Sequence, residues 1–135
     1  MKKTQPQGQV IGRQECMQPA VTSQPKTIIE KNRLLLHSCC GPCSTACIER
    51  LITDYKITVF FYNPNITDMD EYELRKENQI KFIDIYNQKV NHEDRIEFIE
   101  GEYLPEEFYR VADGLYDEPE GGKRCVECFK LRMER

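Results

Sequence analysis

Leu34-Leu35-Leu36-His37-Ser38-Cys39-Cys40-Gly41-Pro42-Cys43-Ser44 is the stretch that decides the fold. A short apolar run, Leu34 to Ser38, reads as a buried strand. It passes directly into a Gly-Pro turn, and proline is well tolerated in a helix's first turn. A helix is therefore expected from Cys43 to about Asp54, with Ala46, Cys47, Leu51 and Ile48 toward one side. Ile57 to Tyr62 is the next strand, and its nearly continuous apolar character suits a parallel sheet buried on both faces. Strand, helix and strand in this order make a parallel βαβ unit.

The pattern continues outward. Asn63-Pro64-Asn65 ends the second strand, and Asp68 with Glu71 resembles a capping box for a long helix. Glu77 and Lys81 stand four apart in the favourable order, and Ile80, Ile83, Tyr86 and Val90 form an apolar stripe. Ile96 to Glu100 reads as a third strand, Pro105 to Ala112 as a short helix, and Arg124 to Arg135 as another after Gly121-Gly122. The expected class is a three-layer α/β domain with a parallel sheet. Leu34–Ser38 is expected as an interior strand parallel to Val59–Tyr62. Residues 28–135 form the domain. Residues 1–27, rich in Gln and punctuated by Pro6, Pro19 and Pro25, read as a disordered extension in which Cys16 is a spare thiol.

The chain has 135 residues and suits one domain. Its mean hydropathy of -0.66 and the lack of a long apolar run argue against a membrane span. No apolar segment follows Lys2-Lys3, so a secretory leader is not expected. The net charge of -4 is split: residues 1–33 carry six basic and two acidic side chains, and the rest is acidic. An acidic body argues against broad nucleic-acid binding but leaves room for a local basic patch.

Seven cysteines without an export signal point to thiol or metal chemistry rather than a disulfide framework. Cys39, Cys40 and Cys43 stand where a strand's carboxyl end meets a helix's amino end, the usual ligand position in open α/β sheets. Cys125-Val126-Glu127-Cys128 offers two more sulfurs from one helical turn. Adjacent cysteines are unusual in structural zinc sites, which favours an iron–sulfur cluster over zinc, a redox dithiol or unligated thiols. Cys47 is expected to pack beneath the site.

Four separated motifs follow in order: His37 to Ser44; Phe61-Tyr62-Asn63-Pro64-Asn65-Ile66; Glu71-Tyr72 with Arg75; and Glu118 to Phe129 with Arg132. Over residues 34–135 the chain resembles the cobalamin-independent epoxyqueuosine reductase family of the QueH type. The resemblance implies a HUP-like, Rossmann-like fold. It also implies a cytoplasmic enzyme that converts epoxyqueuosine to queuosine at the tRNA wobble position, supplied by an electron-donor protein or reductant. It implies a [4Fe–4S] cluster held by Cys39, Cys40, Cys125 and Cys128, and an additional mononuclear iron at Cys43. The four cluster sulfurs are then expected to converge on one centre.

Family members continue beyond the C-x-x-C helix through a further strand and helices, so the fold is expected to be incomplete at its C-terminal end. Phe129, Leu131 or Met133 should then be left exposed. His37 and Tyr62 are candidate proton donors, and Asn63 and Asn65 candidate substrate contacts. Arg75, Lys76, Lys123, Arg124 and Arg132 are candidates for a phosphate-binding patch. A rival reading is a zinc-stabilised tRNA-binding module without catalysis. A nucleotide-activating enzyme is disfavoured, because a Gly/Ser-rich loop is missing at the first turn.

Overall fold

Parallel pairing around one central strand organises the molecule, seen in a computed structural model that describes residues 30–135. The tail at 1–27, including Cys16, lies outside the described residues. β1 (Asn32–His37), β2 (Tyr55–Phe61) and β3 (Glu97–Glu100) form a parallel sheet in the order β1-β2-β3. Leu34 stands opposite Ile57 and Leu36 opposite Val59, while Val59 in turn faces Phe98. The expected parallel neighbour of β1 is therefore present. Among the described residues, however, β1 is an edge strand and not an interior one, because β2 takes the central place.

The helices are α1 (Gly41–Leu51), α2 (Met69–Asn87), α3 (Pro105–Ala112) and α4 (Lys123–Met133), with a single 3-10 turn at His92–Asp94. Alternation along β2 sends Ile57, Val59 and Phe61 to one face of the sheet. There, Ile48 of α1 and Ile83 of α2 close a core with Ile57, Val59 and Ile96. Each such burial stabilises by about 1.5–3 kcal/mol. Phe61, Ile66 and Tyr72 extend this core toward the carboxyl end of the sheet. The other face carries His37, Phe60 and Tyr62, stacked edge to face and then in parallel. α3 and α4 approach that side: Tyr62 donates to Glu107 of α3 at 2.6 Å, and Arg132 of α4 donates to the Tyr62 carbonyl at 3.3 Å.

Several local expectations change. α1 begins at Gly41 rather than Cys43, and buries Gly41, Ser44 and Ile48. This three-to-four spacing turns Ala46 and Cys47 outward, so Cys47 is exposed and does not pack beneath the site. α2 ends at Asn87, which leaves Val90 beyond it, and its buried face is Tyr72, Gln79 and Ile83. Asp68 does cap α2, accepting from the Glu71 N–H at 2.9 Å. The Glu71 carboxylate turns to Arg75. Glu77 and Lys81 form no ion pair; Lys76 with Glu73 supplies one instead. Phe129 is 62% exposed and Met133 56%, as expected. None of the described helices is long and apolar enough to cross a membrane.

Candidate active site

β1 delivers its last residue, His37, and the following Ser38 to the carboxyl end of the sheet, and α1 starts three residues after Ser38. Cys40 is the N-cap of α1, in extended conformation, with Pro42 in the first turn. The Cys40 thiol lies below the ordinary range, chiefly through the neighbouring Cys43 backbone N–H. Cys39 lies above that range, chiefly through burial and then through its neighbour Cys40. Cys43 is raised because its thiol donates to Cys40. Of the three loop thiols, Cys40 is thus the most readily deprotonated.

The second pair comes from α4. Gly121 has φ +82°, a conformation suited to glycine, and its N–H lies 3.3 Å from the Cys125 sulfur. A Cβ at Gly122, the N-cap, would stand 2.8 Å from Glu118 Oε2 and 2.9 Å from the Pro119 carbonyl. The two glycines therefore permit the tight entry that sets Cys125 in the first turn of α4. Cys128 is half-buried, and burial pushes its thiol up.

Between α1 and α4 lies a cavity of about 320 Å³, lined on one rim by His37, Cys39, Cys43 and Cys47 and on the other by Phe129, Arg132 and Met133. Arg132 links the two sides. Its positive charge acts on Cys39, Cys128 and His37. Burial, with help from Arg132, lowers His37, so its ring is neutral near neutral pH, and its Nδ1 is buried without a partner. Among the described residues, no three Cys, His, Asp or Glu side chains already stand as a closed metal-binding set. The loop thiols and the Cys125–Cys128 pair remain two groups. The donor chemistry still suits an iron–sulfur cluster: half-buried thiols come from two segments, and one of them, Cys40 at a helix start, is lowered below its ordinary range.

The remaining candidates fall into distinct places. Tyr62 is buried, and its phenol is committed to Glu107. Asn63 donates to the Ser38 carbonyl at 2.8 Å and ties the carboxyl ends of β1 and β2, while Asn65 has a buried, unpartnered Oδ1. Arg75 pairs with Glu71 close to Cys39 and Cys40. Lys123 is exposed, and Arg124 donates to the Tyr116 carbonyl. Lys76 is held by Glu73 and Glu100. Sequence reasoning passed over Gln79, which is wholly buried and contacts both Ser38 and Ser44. Its seven-residue spacing from Tyr72 was the available signal. A second cavity, at the amino ends of the strands, is lined by mixed charges, of which Lys31 and Asp94 pair with each other.

A Rossmann-like α/β fold with a thiol-lined crevice at the carboxyl end of its parallel sheet defines the class of protein. A family model described as Epoxyqueuosine reductase QueH matches residues 34–135. The chain is 43% identical over 107 residues to epoxyqueuosine reductase QueH of Staphylococcus epidermidis, covering 78% of this chain and 44% of that protein. It is 44% identical over 107 residues to the Acinetobacter baylyi protein of the same name, covering 77% and 44%. For the Thermotoga maritima protein the figures are 33% over 108 residues, 76% and 49%. No solved structure matches. The chain belongs to the QueH family, and it spans less than half the length of these curated relatives.

Proposed function

We propose that the whole protein is a tRNA-modifying reductase that converts epoxyqueuosine to queuosine at the anticodon wobble position, in the cytoplasm. The observation that carries this reading is the crevice in which Cys39 and Cys43 face Arg132 of α4, the helix that also bears Cys125 and Cys128. The relatives' shared name supports it. Opening an epoxide to an alkene takes two electrons and two protons and releases the oxygen as water, and side chains alone do not supply the electrons. Cys39, Cys40, Cys125 and Cys128 would hold a [4Fe–4S] cluster, and Cys43 an additional iron; when bound, these supply electrons and Lewis acidity.

The chain's own residues do the rest. Arg132 faces the cavity and offers positive charge where negative charge develops on the departing oxygen. His37, neutral and wedged against Phe60, offers a ring N–H at the cavity wall as a hydrogen bond to the departing oxygen, whose protons come from solvent. It is better placed to donate than Tyr62, whose hydroxyl is occupied by Glu107. Asn63 keeps the two strand ends together beneath the substrate. Lys123 and Arg124, in the first turn of α4, are the expected contacts to tRNA phosphates, with Arg75 on the opposite side. An electron-donor protein completes the cycle.

Anaerobic iron and sulfide analysis of the full-length protein tests the reading. A brown protein that loses its iron and sulfide in Cys125→Ala is expected. Cys43→Ala should keep the cluster absorbance but lose one iron and epoxide reduction. A colourless, zinc-loaded protein that binds tRNA without turnover would instead establish the non-catalytic module.

A further inference from the structure

Gln79 has no assigned part in this chemistry, yet it is completely buried on α2 and contacts the two serines that flank the thiol loop. Its Oε1 lies 2.7 Å from the hydroxyl of Ser38, just before Cys39, and 2.7 Å from that of Ser44, just after Cys43. In this orientation Nε2 has no partner. A buried amide with two idle protons costs about 1–3 kcal/mol. Turning the amide over, since its O and N are exchangeable by a half-turn, leaves only the carbonyl oxygen without a partner, which is less costly than two idle protons. Nε2 then donates one proton to each hydroxyl. Each serine passes its own proton on: Ser44 to the Gly41 carbonyl at 2.9 Å, and Ser38 to the Cys40 carbonyl at 3.4 Å.

We propose that Gln79 is the positioning residue of the thiol loop, donating through Ser38 and Ser44 to the backbone that sets Cys39, Cys40 and Cys43. The two relays grip the loop at both ends, and the carbonyls they reach belong to the residues between Cys39 and Pro42. Gly41 is packed against α2 as well: a Cβ there would stand 3.8 Å from the Asn78 carbonyl. α2 is therefore a template against which the loop is held. The spectroscopic part of the following test rests on the cluster reading; the exchange part does not.

The experiment compares wild type, Gln79→Leu, Ser38→Ala/Ser44→Ala and the triple variant, each in the full-length protein. Amide hydrogen exchange over residues 38–45 is measured before iron loading, and the electron paramagnetic resonance of the reduced cluster afterwards. In Gln79→Leu, exchange of this segment should rise about tenfold, the loss expected for a hydrogen bond of ordinary net strength. The cluster signal should shift or broaden, with less iron retained. The triple variant buries no orphaned polar group, so its melting temperature should recover while exchange and signal remain altered. Wild-type exchange and signal in Gln79→Leu, or their recovery in the triple variant, would overturn the proposal. If wild type takes up no cluster while Gln79→Leu still loosens residues 38–45, the positioning role stands and the reductase reading falls.

Discussion

Gly101 shows how a single atom can govern the carboxyl end of this sheet. Its N–H donates to the Phe61 carbonyl at 3.0 Å, continuing the β2–β3 ladder by one bond. A Cβ at this position would lie 2.9 Å from both Cβ and Cδ2 of Tyr62 and 3.2 Å from Phe60 Cε2. The Tyr62 Cβ is fixed to the backbone and cannot swing aside. Gly101→Ala should therefore cost about 1–3 kcal/mol, the usual range for overpacking. Because Tyr62 carries the carbonyl that Arg132 grips, the same change should also displace α4. Denaturant melts check the first effect; protection of α4 from amide exchange checks the second, and an unchanged melt would show that the backbone yields freely there.

α3 and α4 are held on the site by a short chain of polar contacts. Tyr62 and Arg135 both donate to Glu107, each at 2.6 Å. These two bonds, first that from Tyr62, hold the Glu107 carboxyl below its ordinary range. A carboxyl depressed in the folded state contributes stability above its unfolded pKa. That contribution fades as pH falls through the depressed value. The melting-temperature gap between wild type and Glu107→Gln should accordingly be widest near neutral pH and close in acid. A gap that stays constant across the titration would mean that the contact does not depend on the carboxylate charge.

Among the described residues, one sheet face is covered and the other only in part. Leu35 on β1 is 52% exposed and Ile99 on β3 is 49% exposed, and both lie on the face that bears His37 and Phe60. Apolar groups beside edge strands favour association. The described domain should self-associate with rising concentration, and Leu35→Lys with Ile99→Lys should reduce this while preserving the circular dichroism spectrum. Light scattering over a concentration series measures it; equal scattering from both proteins would show that this face is not the sticky one.

Local chemistry made much of this legible from the chain alone. Leucines followed by Cys-Cys-Gly-Pro-Cys can hardly be anything but a strand entering a helix, and the apolar run of β2 demanded burial on a parallel sheet. The five candidate sulfurs were likewise readable, since thiols at a strand–helix junction and a C-x-x-C turn are local features. The direction of each side chain was not. Cys47 turned outward because α1 chose the Gly41, Ser44 and Ile48 face, and that choice was made by contact with β2 and α2. Gln79 became part of the site only through partners 41 and 35 residues away at Ser38 and Ser44, and Arg132, already a candidate for the phosphate patch, took its place at the cavity through a contact 70 residues away at Tyr62. A residue's type and spacing are properties of the chain, so the sequence by itself determined the elements and the thiol chemistry. Which polar groups meet depends on how packed faces turn toward one another, and this only the tertiary structure decided.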